Sequence, residues 1–195
     1  MMTVPKRSEL EVFMQEAIAE ARKGLGEGGI PIGSILVREG TIIGRGYNRS
    51  LQTNDPTAHA EIDCLRNCGR IRDYTQTILY VTAMLCNMCV AAAEIFRIPV
   101  VVAGEDRNLI SSVYMRRQMS IKFIDLDMES CFEMLDKFKQ EHRDIWSDDP
   151  ANFSPQVIRE GKFWKLHQST ITINSTLLRH QISFHDIWMS PGKVL

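Results

Sequence analysis

His59 and Glu61 stand two residues apart, and Cys86 and Cys89 stand three apart, one helix and one strand later in the chain. One histidine and two cysteines are three donors of the kind zinc takes. A catalytic zinc keeps its fourth position for water and brings the pKa of that water toward neutrality. Glu61 is then not a ligand but a proton carrier beside the water. Such a set suits attack on an amidine-like carbon with loss of ammonia.

Two plainer readings compete. A lone C-x-x-C also occurs as a redox pair or as half of a structural zinc site. A structural site wants a second C-x-x-C or two closely spaced histidines, and no second C-x-x-C is present. A redox pair has no use for His-x-Glu upstream. Cys64 and Cys68, four residues apart, read as core packing rather than as ligands.

The elements that must position these groups can be read from the pattern. Leu10, Phe13, Met14, Ala17, Ile18 and Ala21 fall on one face of a helix over residues 8–24. Ser8 and Glu11 have capping-box spacing, and glycines 24, 26, 28 and 29 end the helix. Residues 30–37 read as a strand, Glu39-Gly40 as a tight turn, and 41–47 as the second strand of a hairpin with Asn48 at its end. Residues 50–56 form a polar turn region. A helix from residue 57 to Cys68-Gly69 carries His59 and Glu61 in its first turn. Residues 76–82 read as a buried strand and 86–96 as a helix holding Cys86 and Cys89 on one face. Free amides in both first turns favour thiolate charge.

Residues 99–103 and 120–124 read as strands, with a loop over 105–113 between them. Residues 129–140 read as a helix whose inward face is Cys131, Met134, Leu135 and Phe138. The order gives a three-layer α/β/α sandwich with a mixed five-stranded sheet. Residues 1–154 form one zinc-binding domain. Residues 155–195, with most of the histidines and tryptophans but no clear period, form a C-terminal extension.

The formal net charge of −1 lacks the basic excess usual for polyanion binding, so nucleic acid is disfavoured as a partner. Residues 1–8 hold no apolar signal region. No run approaches the ~18 apolar residues of a membrane span. Five cysteines, an odd number with two at ligand spacing, suggest a reducing compartment. The cytoplasm is expected, with the nucleus as a second location.

The motifs resemble the fungal and bacterial zinc-dependent cytosine deaminases of the cytidine deaminase-like superfamily. The segments that carry the likeness are Gly29-Ile-Pro-Ile-Gly33, Gly44-Arg-Gly-Tyr-Asn48, Pro56-Thr-Ala-His-Ala-Glu-Ile62, Asn67-Cys-Gly-Arg70, Leu79-Tyr-Val-Thr82 and Cys86-Asn-Met-Cys89. Zinc nucleobase deaminases have H-x-E followed by P-C-x-x-C as their signature; here residue 85 is Leu where the signature has Pro. The likeness covers about residues 8–150. Asn67-Cys-Gly-Arg70 is the part that points to cytosine deaminases; the His-x-Glu segment is shared with guanine and tRNA adenosine deaminases.

The resemblance implies one zinc per chain on His59, Cys86 and Cys89, with Glu61 as proton shuttle. It implies that Asn48 bonds the pyrimidine carbonyl edge, that Asp149 or its neighbour Asp148 holds the ring N–H, that Trp146 closes the pocket and that Ile32 lines its floor. Asn48 as a strand-end cap, and Trp146 and Ile32 as core packing, are the structural alternatives. Homodimers are expected. The reaction implied is hydrolysis of cytosine to uracil and ammonia in pyrimidine salvage. The activated water would attack C4, and Glu61 would protonate N3 and then the leaving amine.

The alternatives are the same chemistry on guanine, cytidine or tRNA adenosine, and an inactive zinc-binding paralogue that serves as a dimer partner. Several departures motivate the last. Leu85 replaces the proline, at an expected cost of about 0.4–1 kcal/mol and with a looser metal loop. Met84 replaces a small pocket-edge residue. Leu109 stands where a stacking phenylalanine is usual, and Arg97 stands where a glycine follows the zinc helix. Pro150-Ala-Asn replaces an acidic ending.

Overall fold

The computed structural model describes residues 4–108 and 116–148. Five strands form one sheet: β1 (Gly33–Arg38), β2 (Thr41–Tyr47), β3 (Thr77–Val81), β4 (Val100–Ala103) and β5 (Lys122–Asp125), in the order β2-β1-β3-β4-β5. β1 runs antiparallel to both β2 and β3, and β3, β4 and β5 run parallel. The helices are α1 (Arg7–Gly26), α2 (Ser50–Thr53), α3 (Ala60–Cys68), α4 (Asn87–Ile95), α5 (Glu129–Glu141) and α6 (Arg143–Asp148).

Strand alternation sends side chains to two cores. Ile35, Val37, Ile78, Tyr80, Val100 and Val102 meet Leu10, Met14, Ala17 and Ile18 of α1. Leu36, Leu79, Val81, Val101 and Ala103 meet Cys64 and Leu65 of α3 and Cys89, Val90 and Ala93 of α4. These strands are buried on both faces, so they read as apolar runs rather than as alternating ones. α5 contributes Cys131 to the first core and Leu135 and Phe138 to the second, while Met134 is only partly buried. The result is the expected three-layer α/β/α sandwich on a mixed five-stranded sheet.

Several local expectations need correction. α1 begins at Arg7 after an extended Lys6 with no side-chain cap, so Ser8 lies inside the helix and makes no capping box. Gly24 does not stop α1, which runs on to Gly26. Its role is close approach: a Cβ there would sit 2.8 Å from the Tyr47 ring. The polar segment after Asn48 holds the short helix α2, and α6 follows α5 directly. Neither has an apolar period to announce it. Arg97, where the resembled proteins have glycine, adopts φ 57°. The left-handed conformation closes α4 through an Ile98 N–H bond to Ala93 O and costs a non-glycine residue roughly 1 kcal/mol.

Candidate active site

The chemistry gathers at the carboxyl ends of β3 and β4, where open α/β sheets bind ligands. His59 is not in the first turn of α3 but is its N-cap, extended at φ −68°, ψ 159°. Cys86 is likewise the N-cap of α4, at φ −73°, ψ 170°. Each N-cap carbonyl accepts the first helical bond, from Asp63 N–H and Val90 N–H respectively. The later starts, three residues at α3 and one at α4, matter. Both ligand-bearing residues sit where unpaired first-turn amides and the positive helix end converge, which favours thiolate.

The three donor atoms lie within 4.8 Å of one another and all three residues are buried. His59 Nδ1 is 3.5 Å from Cys86 Sγ and 3.8 Å from Cys89 Sγ. Tetrahedral zinc, with Zn–S of about 2.3 Å and Zn–N of about 2.05 Å, requires N···S separations of about 3.6 Å. The donor set therefore fits one zinc ion with a fourth position left over. Leu85 is fully buried in the core beside α4, as is Met84. Met84 N–H is tied to Glu105 O at 2.9 Å.

Glu61 is 4% exposed. Without metal, burial and then the Cys86 thiolate push its carboxyl up to about 7, with His59 opposing. The Cys89 thiol, followed by His59, stabilises the Cys86 thiolate and brings Cys86 down to about 4 against the cost of burial; Cys89 is raised in turn by that same hydrogen bond and by burial. A buried carboxyl poised near neutrality beside three metal donors is the arrangement proton transfer needs.

Asn48 is 2% exposed. Its backbone N–H donates to Ile32 O at 2.9 Å, so Ile32 and Asn48 lie side by side. The next residue, Arg49, donates its N–H to Ala58 O at 2.8 Å, immediately before His59. Asn48 Oδ1 accepts from Ser50 N–H at 3.1 Å and from the Ser50 hydroxyl at 2.8 Å. The backbone N–H can only donate, so it fixes the amide orientation and leaves the Nδ2 donors for another group. Asn48 thus turns its side-chain oxygen back onto Ser50, the first residue of α2, whose N-cap is Arg49, and still presents an amide donor. Trp146 is half-buried and packs, with Ile145, against the core that contains Cys86 and Cys89. Leu109 and Asp149 lie outside the described residues.

Asp63 and Asn67 of α3 also position the site, though the sequence reading assigned them no role. β2 is an edge strand, and α3 satisfies its outward backbone groups. Asp63 Oδ2 accepts from Tyr47 N–H at 3.3 Å, and Asn67 Nδ2 donates to Arg45 O at 2.9 Å. The helix comes this close because residue 46 is glycine; a Cβ there would lie 2.2 Å from Cys64 N. A buried acid in the face of α3 that meets β2 was the available signal.

Residues 7–105 match the family model described as the cytidine and deoxycytidylate deaminase zinc-binding region. The chain is 30% identical over 139 residues to the cytosine deaminase of Candida albicans, covering 70% of this chain and 93% of that one. It is 32% identical over 160 residues to a tRNA-specific adenosine deaminase of Streptococcus pyogenes serotype M1, covering 79% and 86%. A solved structure from a study of A-to-I editing by tRNA:A34 deaminases superposes with a TM-score of 0.58 at 33% identity, covering 64% of this chain and 99% of that one. The chain belongs to the cytidine and deoxycytidylate deaminase zinc-binding family. It is a zinc-dependent deaminase, a hydrolase acting on C–N bonds, with one metal site at His59, Cys86 and Cys89. Among the described residues no helix is long and apolar enough to cross a membrane.

Proposed function

We propose that this chain hydrolyses a free nucleobase, cytosine to uracil and ammonia. The observation that carries the reading is the pairing of an orientation-locked Asn48 amide donor with a buried Glu61 beside the three-donor cluster. Zinc, when bound, supplies a water activated at neutral pH. Glu61 takes a proton from that water and delivers it to ring N3 as oxygen bonds to C4; it then takes the proton of the new C4 hydroxyl and delivers it to the amine, so that the C4–N bond breaks, ammonia leaves and C4 becomes the carbonyl of uracil. Asn48 Nδ2 donates to the base carbonyl. Ile32 and Trp146 flank the ring and exclude water. Asp149 holds the ring N–H and Leu109 faces the base, as the resemblance implies.

The catalytic domain of this reading is residues 1–154, with 155–195 as an extension. Free cysteines at 64, 68 and 131 suit a cytoplasmic setting. A homodimer belongs to the same reading; exposed Ile95 and Phe96 at the end of α4 offer it apolar surface, and sedimentation velocity tests it.

A second reading, deamination of tRNA adenosine, is favoured by the 33% identity to the tRNA:A34 deaminase study structure. Near-neutral net charge does not decide between the two, because a local basic surface is enough to hold RNA. The test offers cytosine, cytidine, guanine and a tRNA anticodon stem-loop to the zinc-loaded full chain. Loss of cytosine absorbance with equal ammonia release supports the proposal. Inosine in the stem-loop with no turnover of any free base would replace it with the second reading. Zinc bound with no turnover at all would mark an inactive paralogue.

A further inference from the structure

The loop after β4 is more tightly built than its sequence suggests. Glu105 is fully buried. Its Oε2 accepts from Arg107 N–H at 2.7 Å and from Asn108 N–H at 2.9 Å, so the carboxylate holds residues 105–108 as a closed turn. Through its carbonyl the same residue holds Met84, two residues before the ligand Cys86. The turn is therefore fastened to the metal loop.

Lys139, on α5, reaches this turn. Its Nζ donates to Asn108 Oδ1 at 2.6 Å, across 31 residues of sequence. The same Nζ lies 5.2 Å from the centre of the Trp146 ring, within the range of cation–π attraction. α6 is six residues long and offers Ile145 and Trp146 as its apolar contacts with the core. One ammonium thus ties together α5, the turn after β4 and the aromatic ring of α6.

We propose that Lys139 is a positioning residue of the site: bonded to Asn108 and lying over Trp146, it locks α6 against the turn that follows β4 and so fixes the wall that closes on the bound base. The lock itself follows from the contacts. Its effect on substrate rests on the proposed role of Trp146. Lys139 touches neither metal donors nor reacting atoms, so its loss should loosen the grip on substrate rather than slow the chemical step.

The test uses the full zinc-loaded chain with Trp164→Phe and Trp188→Phe, which leaves Trp146 as the single indole. Lys139→Met keeps the length and apolar stem but removes the charge. The Trp146 Nε1–H resonance should shift or broaden in the 15N spectrum, and Lys139→Arg, which restores a cation over the ring, should return it toward its original position. In turnover, KM for the base should rise about 3–10-fold, the range a partly exposed cation–π contact supports, with kcat within about twofold. Lys139→Arg should recover most of the KM.

An unchanged indole resonance would overturn the lock, and an unchanged KM would overturn its role in closing the site. Equal loss of kcat and kcat/KM would also overturn it, since that places Lys139 in the chemistry. If the parent turns over no free base, the reading of function fails and the spectrum alone still decides the lock.

Discussion

Leu85→Pro would restore the deaminase signature, and the sequence alone suggests that it should tighten the metal loop. The structure predicts the opposite. Leu85 is 0% exposed and fills the core beside Met84, Val90 and Ala93. Truncating a buried leucine costs about 2–5 kcal/mol. A proline ring refills part of that volume, which leaves a loss of roughly 1–3 kcal/mol, and the stiffer unfolded chain returns only about 0.4–1 kcal/mol. The middle of those two ranges leaves a net destabilisation of about 1.3 kcal/mol. For a chain of this size that lowers Tm by roughly 3–5 °C. Thermal melts of the zinc-loaded protein, paired with a zinc count and kcat/KM, check it. Lower Tm, one zinc per chain and turnover no higher than the parent are expected. A higher Tm or a gain in kcat/KM would refute the reasoning, because it would mean that the loop and not the core sets the cost.

Two other outcomes follow from the site. Asn48→Asp keeps the acceptor that caps Ser50 but removes the amide donor; kcat/KM for the base should fall at least about 10-fold, the cost of a substrate hydrogen bond left unmade, and unaltered kinetics would remove Asn48 from the pocket. In the zinc-free protein Glu61 is raised from 4.5 to about 7, by burial first. A carboxyl whose folded pKa is raised stabilises the fold in its protonated form, so its contribution is complete below pH 4.5 and is lost as pH rises through 7, by at most about 3 kcal/mol. The lowered Cys86 thiol contributes in the opposite sense over the same range, so the Glu61 loss is read as a difference: in urea melts of zinc-free protein between pH 5 and 8, wild type should lose stability relative to Glu61→Gln as pH rises, and parallel curves for the two would contradict it.

The metal site was legible because its donors are rare residue types at short, fixed spacings. β2 was legible to the residue, because Glu39-Gly40 and Asn48 bracket it. What sequence missed has physical causes. His59 and Cys86 sit one residue outside their helices because an N-cap is extended, a distinction invisible to side-chain periodicity. α2 follows the Asn48–Ser50 side-chain turn and has no apolar stripe. The burial of Leu85 depends on β3, α4 and the loop after β4 coming together, so a local rule about proline before a helix could not foresee it. Lys139 lies outside the apolar face of its helix, and only the fold brings Asn108 and Trp146 around it.

Hydrolytic deamination of a base in this site depends on Glu61 as the proton carrier. Stoichiometric ammonia release from cytosine by the zinc-loaded chain, measured beside Glu61→Ala at matched zinc content, tests it most directly. Turnover is expected in the parent, and its loss in Glu61→Ala with one zinc still bound. Equal turnover in the two proteins would contradict it.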